Sequence, residues 1–83
     1  MKMPTYSSLE AFLAHHRTLR DALSLSTGDR DLLAAMERAI GTLAPPDRAA
    51  LADTAAEPAI ARRRQRAERS LRHVLVEQGI LQG

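Results

Sequence analysis

Apolar residues recur along this chain at intervals of three and four with polar residues between them, the period of an amphipathic helix. Leu9, Phe12, Leu13, His16, Leu19 and Leu23 trace one stripe. Ser7 followed three residues later by Glu10 forms a capping-box signature ahead of it, so a first helix is predicted from Ser8 to about Leu25. Ser26-Thr27-Gly28-Asp29 interrupts the pattern, because Gly28 can adopt a left-handed conformation and Asp29 can cap the next helix. A second helix is predicted from about Arg30 to Leu43, burying Leu32, Leu33, Met36, Ala39, Ile40 and Leu43. Gly41 weakens its last turn.

Ala44-Pro45-Pro46-Asp47 ends that helix, since a residue before proline avoids the helical region and proline suits a first turn. A short third helix, roughly Pro46 to Thr54, would bury Ala49, Leu51 and Ala52. Glu57-Pro58 then opens a long fourth helix reaching about Gln78. Gly79 is its natural C-cap, with Ile80 and Leu81 folding back over it. No stretch alternates like a strand. The pattern predicts an all-α fold, a small bundle of three to four helices with a long basic C-terminal helix. It forms a single domain: a loose lead at 1–6, a helical hairpin at 8–43, and a short helix plus the basic helix at 46–79.

Composition sets limits on this bundle. The chain has 83 residues, of which 45% are hydrophobic, an ordinary fraction for a globular chain. Fifteen residues are Ala, and the aromatics are Tyr6 and Phe12 alone. Alanine favours helix but adds little buried area, so the core must rest on Leu, Ile, Val and Met. There is no cysteine, hence no disulfide and no thiolate metal site. No apolar run is long enough to span a membrane. The first residues lack a basic start followed by an apolar stretch, so no signal peptide is expected. The expected location is cytoplasmic.

Charge is distributed unevenly. Residues 1–57 carry six basic and eight acidic side chains, whereas residues 58–83 carry six arginines against Glu68 and Glu77. Those arginines are Arg62, Arg63, Arg64, Arg66, Arg69 and Arg72. At about 100° per residue, Arg62, Arg66, Arg69 and His73 fall within about 60° of one another, and Ile60, Ala67, Leu71 and Val74 lie opposite. One face can pack on the protein while the other presents guanidinium groups, which fork phosphate bidentately. The predicted nucleic-acid contacts are Arg62, Arg63, Arg66, Arg69, Arg72 and His73. Two i,i+4 pairs, Arg64–Glu68 and Glu68–Arg72, would instead neutralise part of that face.

The stretch from Ala39 to Leu75 resembles the C-terminal DNA-binding region, region four, of bacterial RNA polymerase sigma factors. The resemblance is carried by Leu43-Ala44-Pro45-Pro46-Asp47-Arg48, like the end of one helix and the charged opening of the next. It is also carried by Pro58-Ala59-Ile60-Ala61-Arg62-Arg63-Arg64-Gln65-Arg66-Ala67-Glu68-Arg69-Ser70-Leu71-Arg72, like a recognition helix. It covers under half of the chain. Between Leu51 and Ile60 there are only the residues Ala52 to Ala59, so the supporting half of a helix-turn-helix is missing or shortened. The polymerase-binding region two of a full sigma factor is not expected, because the N-terminal fifty residues are too few for it. The resemblance implies a bacterial, transcription-related regulator whose last helix lies in the major groove of double-stranded DNA. Arg62, Arg63 and Arg66 would then stand near the helix start, where base contacts concentrate.

The alternative is a protein-interaction module. Leu9, Phe12, His16, Leu19 and Leu23 make a near-heptad seam that could join two copies in a homodimer. The same seam could dock an adaptor on RNA polymerase, a sigma factor or an anti-sigma protein. RNA binding is a third possibility, but the scarcity of aromatics argues against single-strand recognition. No enzyme is predicted, with no catalytic residue, cofactor or metal site. His15 and His16 are adjacent and point about 100° apart, and His73 is distant in sequence. His16 reads as a packed histidine rather than a ligand, and the serines lack a glycine-rich elbow or an obvious base.

Overall fold

The computed structural model of the chain describes residues 4–82, and four helices occur among them: α1 (Leu9–Asp21), α2 (Thr27–Gly41), α3 (Pro45–Ala52) and α4 (Pro58–Glu77). No strand occurs among the described residues, so the chain is an all-α bundle. Among the described residues no helix is long and apolar enough to cross a membrane. α1 packs against α2, α2 against α4, and α3 against α4. The core is Leu9, Phe12 and Leu19 of α1, Met36 and Ala39 of α2, Leu71 and Leu75 of α4, and the flanking Leu43, Ile80 and Leu81. Phe12, Met36, Leu71 and Leu75 are wholly excluded from solvent.

Helix starts follow serine chemistry, and here the structure corrects the expectation twice. α1 is capped by Ser8, not Ser7; its hydroxyl accepts from the Ala11 N–H at 3.1 Å. α2 is capped by Ser26, whose hydroxyl accepts from the Asp29 N–H at 3.1 Å. Asp29 therefore sits inside the first turn, where its charge favours the helix N-terminus, and Gly28 is helical rather than left-handed. Starting α2 earlier forces the chain reversal into Ala22–Ser26. This pulls the end of α1 back to Asp21, short of the expected Leu25. Leu23 falls off the stripe as a consequence and is fully exposed.

The third helix is likewise shifted. It begins at Pro45, after an extended Ala44, and stops at Ala52, because the Asp53 carboxylate accepts from the Ala55 N–H at 3.0 Å and turns the chain. Its two turns pack mainly on α4 and bury no residue fully. Asp47, Ala50 and Leu51 are half-buried, and Ala49 and Ala52, expected inside, face solvent.

The C-terminal end of α4 agrees with expectation in detail. Gly79 takes φ 73, the Ile80 N–H donates to the Leu75 carbonyl at 2.9 Å and the Gly79 N–H to the Val76 carbonyl at 3.1 Å. This is the double-bonded glycine cap, in which the turned-back residue packs on the last helical turn; Ile80 and Leu81 are buried. The lead segment departs from expectation, insofar as it lies within the described residues. Tyr6 is not loose. It forms an isolated parallel bridge with Leu81, its N–H donating to the Ile80 carbonyl at 2.8 Å and its carbonyl accepting from the Gln82 N–H at 3.1 Å. Its ring meets Phe12 edge-on at 5.4 Å, and its hydroxyl hydrogen-bonds Nδ1 of His15 at 2.7 Å. Burial pushes the Tyr6 phenol above its ordinary pKa of 10.0.

Candidate nucleic-acid interface

The candidate site is the outer side of α4, and its position follows from which residues the core takes. Pro58 opens the helix at its first position, where a missing N–H costs nothing. The rest of the helix contains strong helix formers and no glycine, so the rod continues unbroken to Glu77. Ala67, Leu71 and Leu75 are buried, and Ile60 and Val74 are half-buried beside them. With that stripe anchored, the opposite side faces solvent. Arg62, Arg63, Arg66, Arg69, Arg72 and His73 are all exposed.

Arg64 is separated from this set. It lies on the buried side of the helix, and Nη1 donates to the Asp53 carbonyl at 2.8 Å and to the Ala55 carbonyl at 3.2 Å. These are two backbone oxygens in the connection between α3 and α4, which the short helix leaves without partners. The Ala55 carbonyl is part-buried and needs a donor; the guanidinium supplies it and also reaches the exposed Asp53 carbonyl. Arg64 thus positions the start of α4. In the sequence it reads as one member of an arginine run, and its angular offset of about 160° from Arg66 is the signal that sets it apart.

Neutralisation of the face is slight. Among the described residues, neither Arg64–Glu68 nor Glu68–Arg72 forms an ion pair, and no carboxylate of the α1–α2 hairpin reaches an α4 arginine. On α4 His73 Nε2 lies 3.1 Å from the Glu77 carboxylate across one exposed turn, an ion pair only when the imidazole is protonated. Gln65, Glu68, Arg69 and Arg72 line a shallow open depression on the same helix.

The second set of predicted residues sits elsewhere. Leu9, Phe12 and Leu19 lie in the chain's own core, and His16 is buried between α1 and α2, where Nε2 lies 3.1 Å from the Glu37 carboxylate. Leu23 is apart from them in the α1–α2 turn. The seam is therefore internal. His15 is engaged by Tyr6 and His73 by Glu77, so the three histidines are dispersed. Among the described residues no group of three His, Asp or Glu side chains is arranged to hold a metal ion.

No family model matches the chain, and no curated protein and no solved structure is significantly similar to it.

Proposed function

We propose that this chain binds nucleic acid through the exposed side of α4, as a small non-enzymatic regulator of the transcription-related kind that its resemblance to sigma region four implies. One observation carries the proposal. Five arginines stand together on the open side of a continuous helix with no carboxylate pairing them among the described residues, while the sixth is diverted to hold the helix start. An unpaired guanidinium row keeps its full attraction for phosphate, and its contacts release condensed counterions from a polyanion. The rival reading, a partner or second copy docking on the α1 seam, has less support, because Leu9, Phe12, His16 and Leu19 are already enclosed by the chain itself.

The test is binding to a labelled DNA duplex at several salt concentrations. The natural chain should bind more weakly as salt rises, with a slope of about 0.9 for each phosphate contact. Replacing Arg62, Arg66 and Arg69 together with Ala should flatten that slope and leave the helical signal unchanged. Equal binding by the triple variant would exclude the proposal.

A further inference from the structure

α4 is anchored in the core by its second half. Ala67 is its first fully buried residue, and Leu71 is the first that belongs to the core cluster. Between Pro58 and Arg66 nothing is fully buried: Ile60, Ala61 and Arg64 are half-buried and the other six residues are exposed. Yet Arg62, Arg63 and Arg66, three of the five exposed arginines, stand on this part of the helix. Its start also lacks a side-chain cap, since Glu57 makes no capping hydrogen bond. A helix end with few buried contacts and no cap opens at low free-energy cost.

Three polar bonds in the α3–α4 connection oppose that opening. The Asp53 carboxylate accepts from the Ala55 N–H at 3.0 Å, and Arg64 Nη1 donates to the Asp53 and Ala55 carbonyls at 2.8 Å and 3.2 Å. Arg64 thereby ties the second turn of α4 to the end of α3, and Leu51 of α3 packs against the core cluster. The unanchored half of α4 is thus joined to the core by way of one guanidinium.

Resting on the nucleic-acid reading above, we infer that Arg64 is a positioning residue of the polyanion site: it does not touch the ligand, and its bonds to the Asp53 and Ala55 carbonyls hold the first half of α4 so that Arg62, Arg63 and Arg66 are presented together. This role leaves a distinct signature. A guanidinium that meets phosphate releases counterions, so its loss lowers the salt slope. A guanidinium that holds only backbone releases none, and its loss weakens binding alike at all salt concentrations. Without Arg64 the ordered start is a minority of the free chain, and the apparent affinity falls by that fraction.

The experiment titrates the full chain and its Arg64→Met, Arg64→Lys and Arg62→Ala variants against a mixed-sequence DNA duplex across a salt series. Amide exchange of each free variant is followed by NMR. Arg64→Met raises Kd by about fivefold at every salt concentration, the equivalent of one net hydrogen bond. Its salt slope is unchanged, and exchange quickens in the first two turns of α4. Arg64→Lys, which keeps a donor on a shorter stem, recovers part of the affinity. Arg62→Ala lowers the slope by about 0.9. A slope lowered as much by Arg64→Met makes Arg64 a contact and overturns the inference. An unchanged Kd despite faster exchange overturns it too, because the bonds would then serve the fold alone.

A second pair of variants is independent of whether Arg64→Met folds. Asp53→Ala and Asp53→Asn remove the same charge, but only Asn keeps an acceptor for the Ala55 N–H. The Ala variant binds the duplex more weakly than the Asn variant, with an equal salt slope; equal affinities overturn the positioning role. The two claims fail separately. If the natural chain binds no duplex, the nucleic-acid reading falls and Arg64 has no site to position. If the chain binds with a slope that depends on Arg62 and is indifferent to Arg64→Met, only the positioning role falls.

Discussion

Leu71→Ala is the sharpest probe of how α4 is anchored. Leu71 is 0% exposed in the C-terminal half of the long helix and belongs to the core cluster with Phe12, Met36 and Leu75. Truncation to Ala removes three carbons, and at about 0.8 kcal/mol per buried methylene the transfer loss alone is about 2.4 kcal/mol. The cavity left among side chains that cannot fully collapse raises this to about 3–4 kcal/mol. At about 0.05–0.15 kcal/mol per residue a domain of this length has about 4–12 kcal/mol in total, so the substitution removes a large share of it. Urea unfolding followed by circular dichroism should show the midpoint falling by about 2–3 M with an unchanged slope. Arg66→Ala, just over a turn away on the opposite side, should change stability by no more than about 0.5 kcal/mol. A loss below about 1 kcal/mol at Leu71, or a loss at Arg66 equal to it, would refute the assignment of the two sides of α4.

Other expectations concern the ends and the supports. Gly79→Ala should cost about 1–2 kcal/mol in the same urea assay. The added Cβ meets nothing within 4 Å, and the penalty comes wholly from a φ of 73. Tyr6 is the only tyrosine, so phenolate absorbance reports it alone. Its native midpoint should lie above that of the urea-unfolded chain. Because the folded value is the raised one, stability should be intact below pH 10.0 and fall as pH rises through the folded value. A native midpoint at or below the unfolded one would show that the Tyr6–Leu81 bridge does not shelter the ring. Arg64→Ala should leave the two connection carbonyls to solvent and cost about 1 kcal/mol. The faster amide exchange that results should be confined to the end of α3 and the first turn of α4.

Elements with a long apolar period are legible in the sequence, and their ends are not. The buried stripe of α4 is apparent from Ala67, Leu71 and Val74 because a twenty-residue helix repeats its signal several times, and the cap at Gly79 follows from glycine's tolerance of positive φ. The start of α2 is expected at about Arg30 with Asp29 as its cap, whereas Ser26, an equally good cap, takes that role. The short α3 is nearly silent, since it packs mainly on α4 and its alanines read equally well on either side. Local pattern does not place Tyr6 at all. Its partners Leu81 and His15 are brought to it only when the chain closes. At the candidate site, the exposed arginines can be counted and oriented from spacing alone. The diversion of Arg64 depends on carbonyls in a connection whose path the sequence does not specify.

If α4 presents an open cationic side to a nucleic acid, its apolar side must stay locked in the bundle while it does so. Titrating the isotopically labelled chain with a short DNA duplex and recording backbone and arginine side-chain NMR signals tests this directly. Shifts should gather at Arg62, Arg63, Arg66, Arg69, Arg72 and His73, with the signals of Phe12, Met36 and Leu71 in place. Shifts centred on α1 and the Leu23 turn, or no shifts at all, would contradict it.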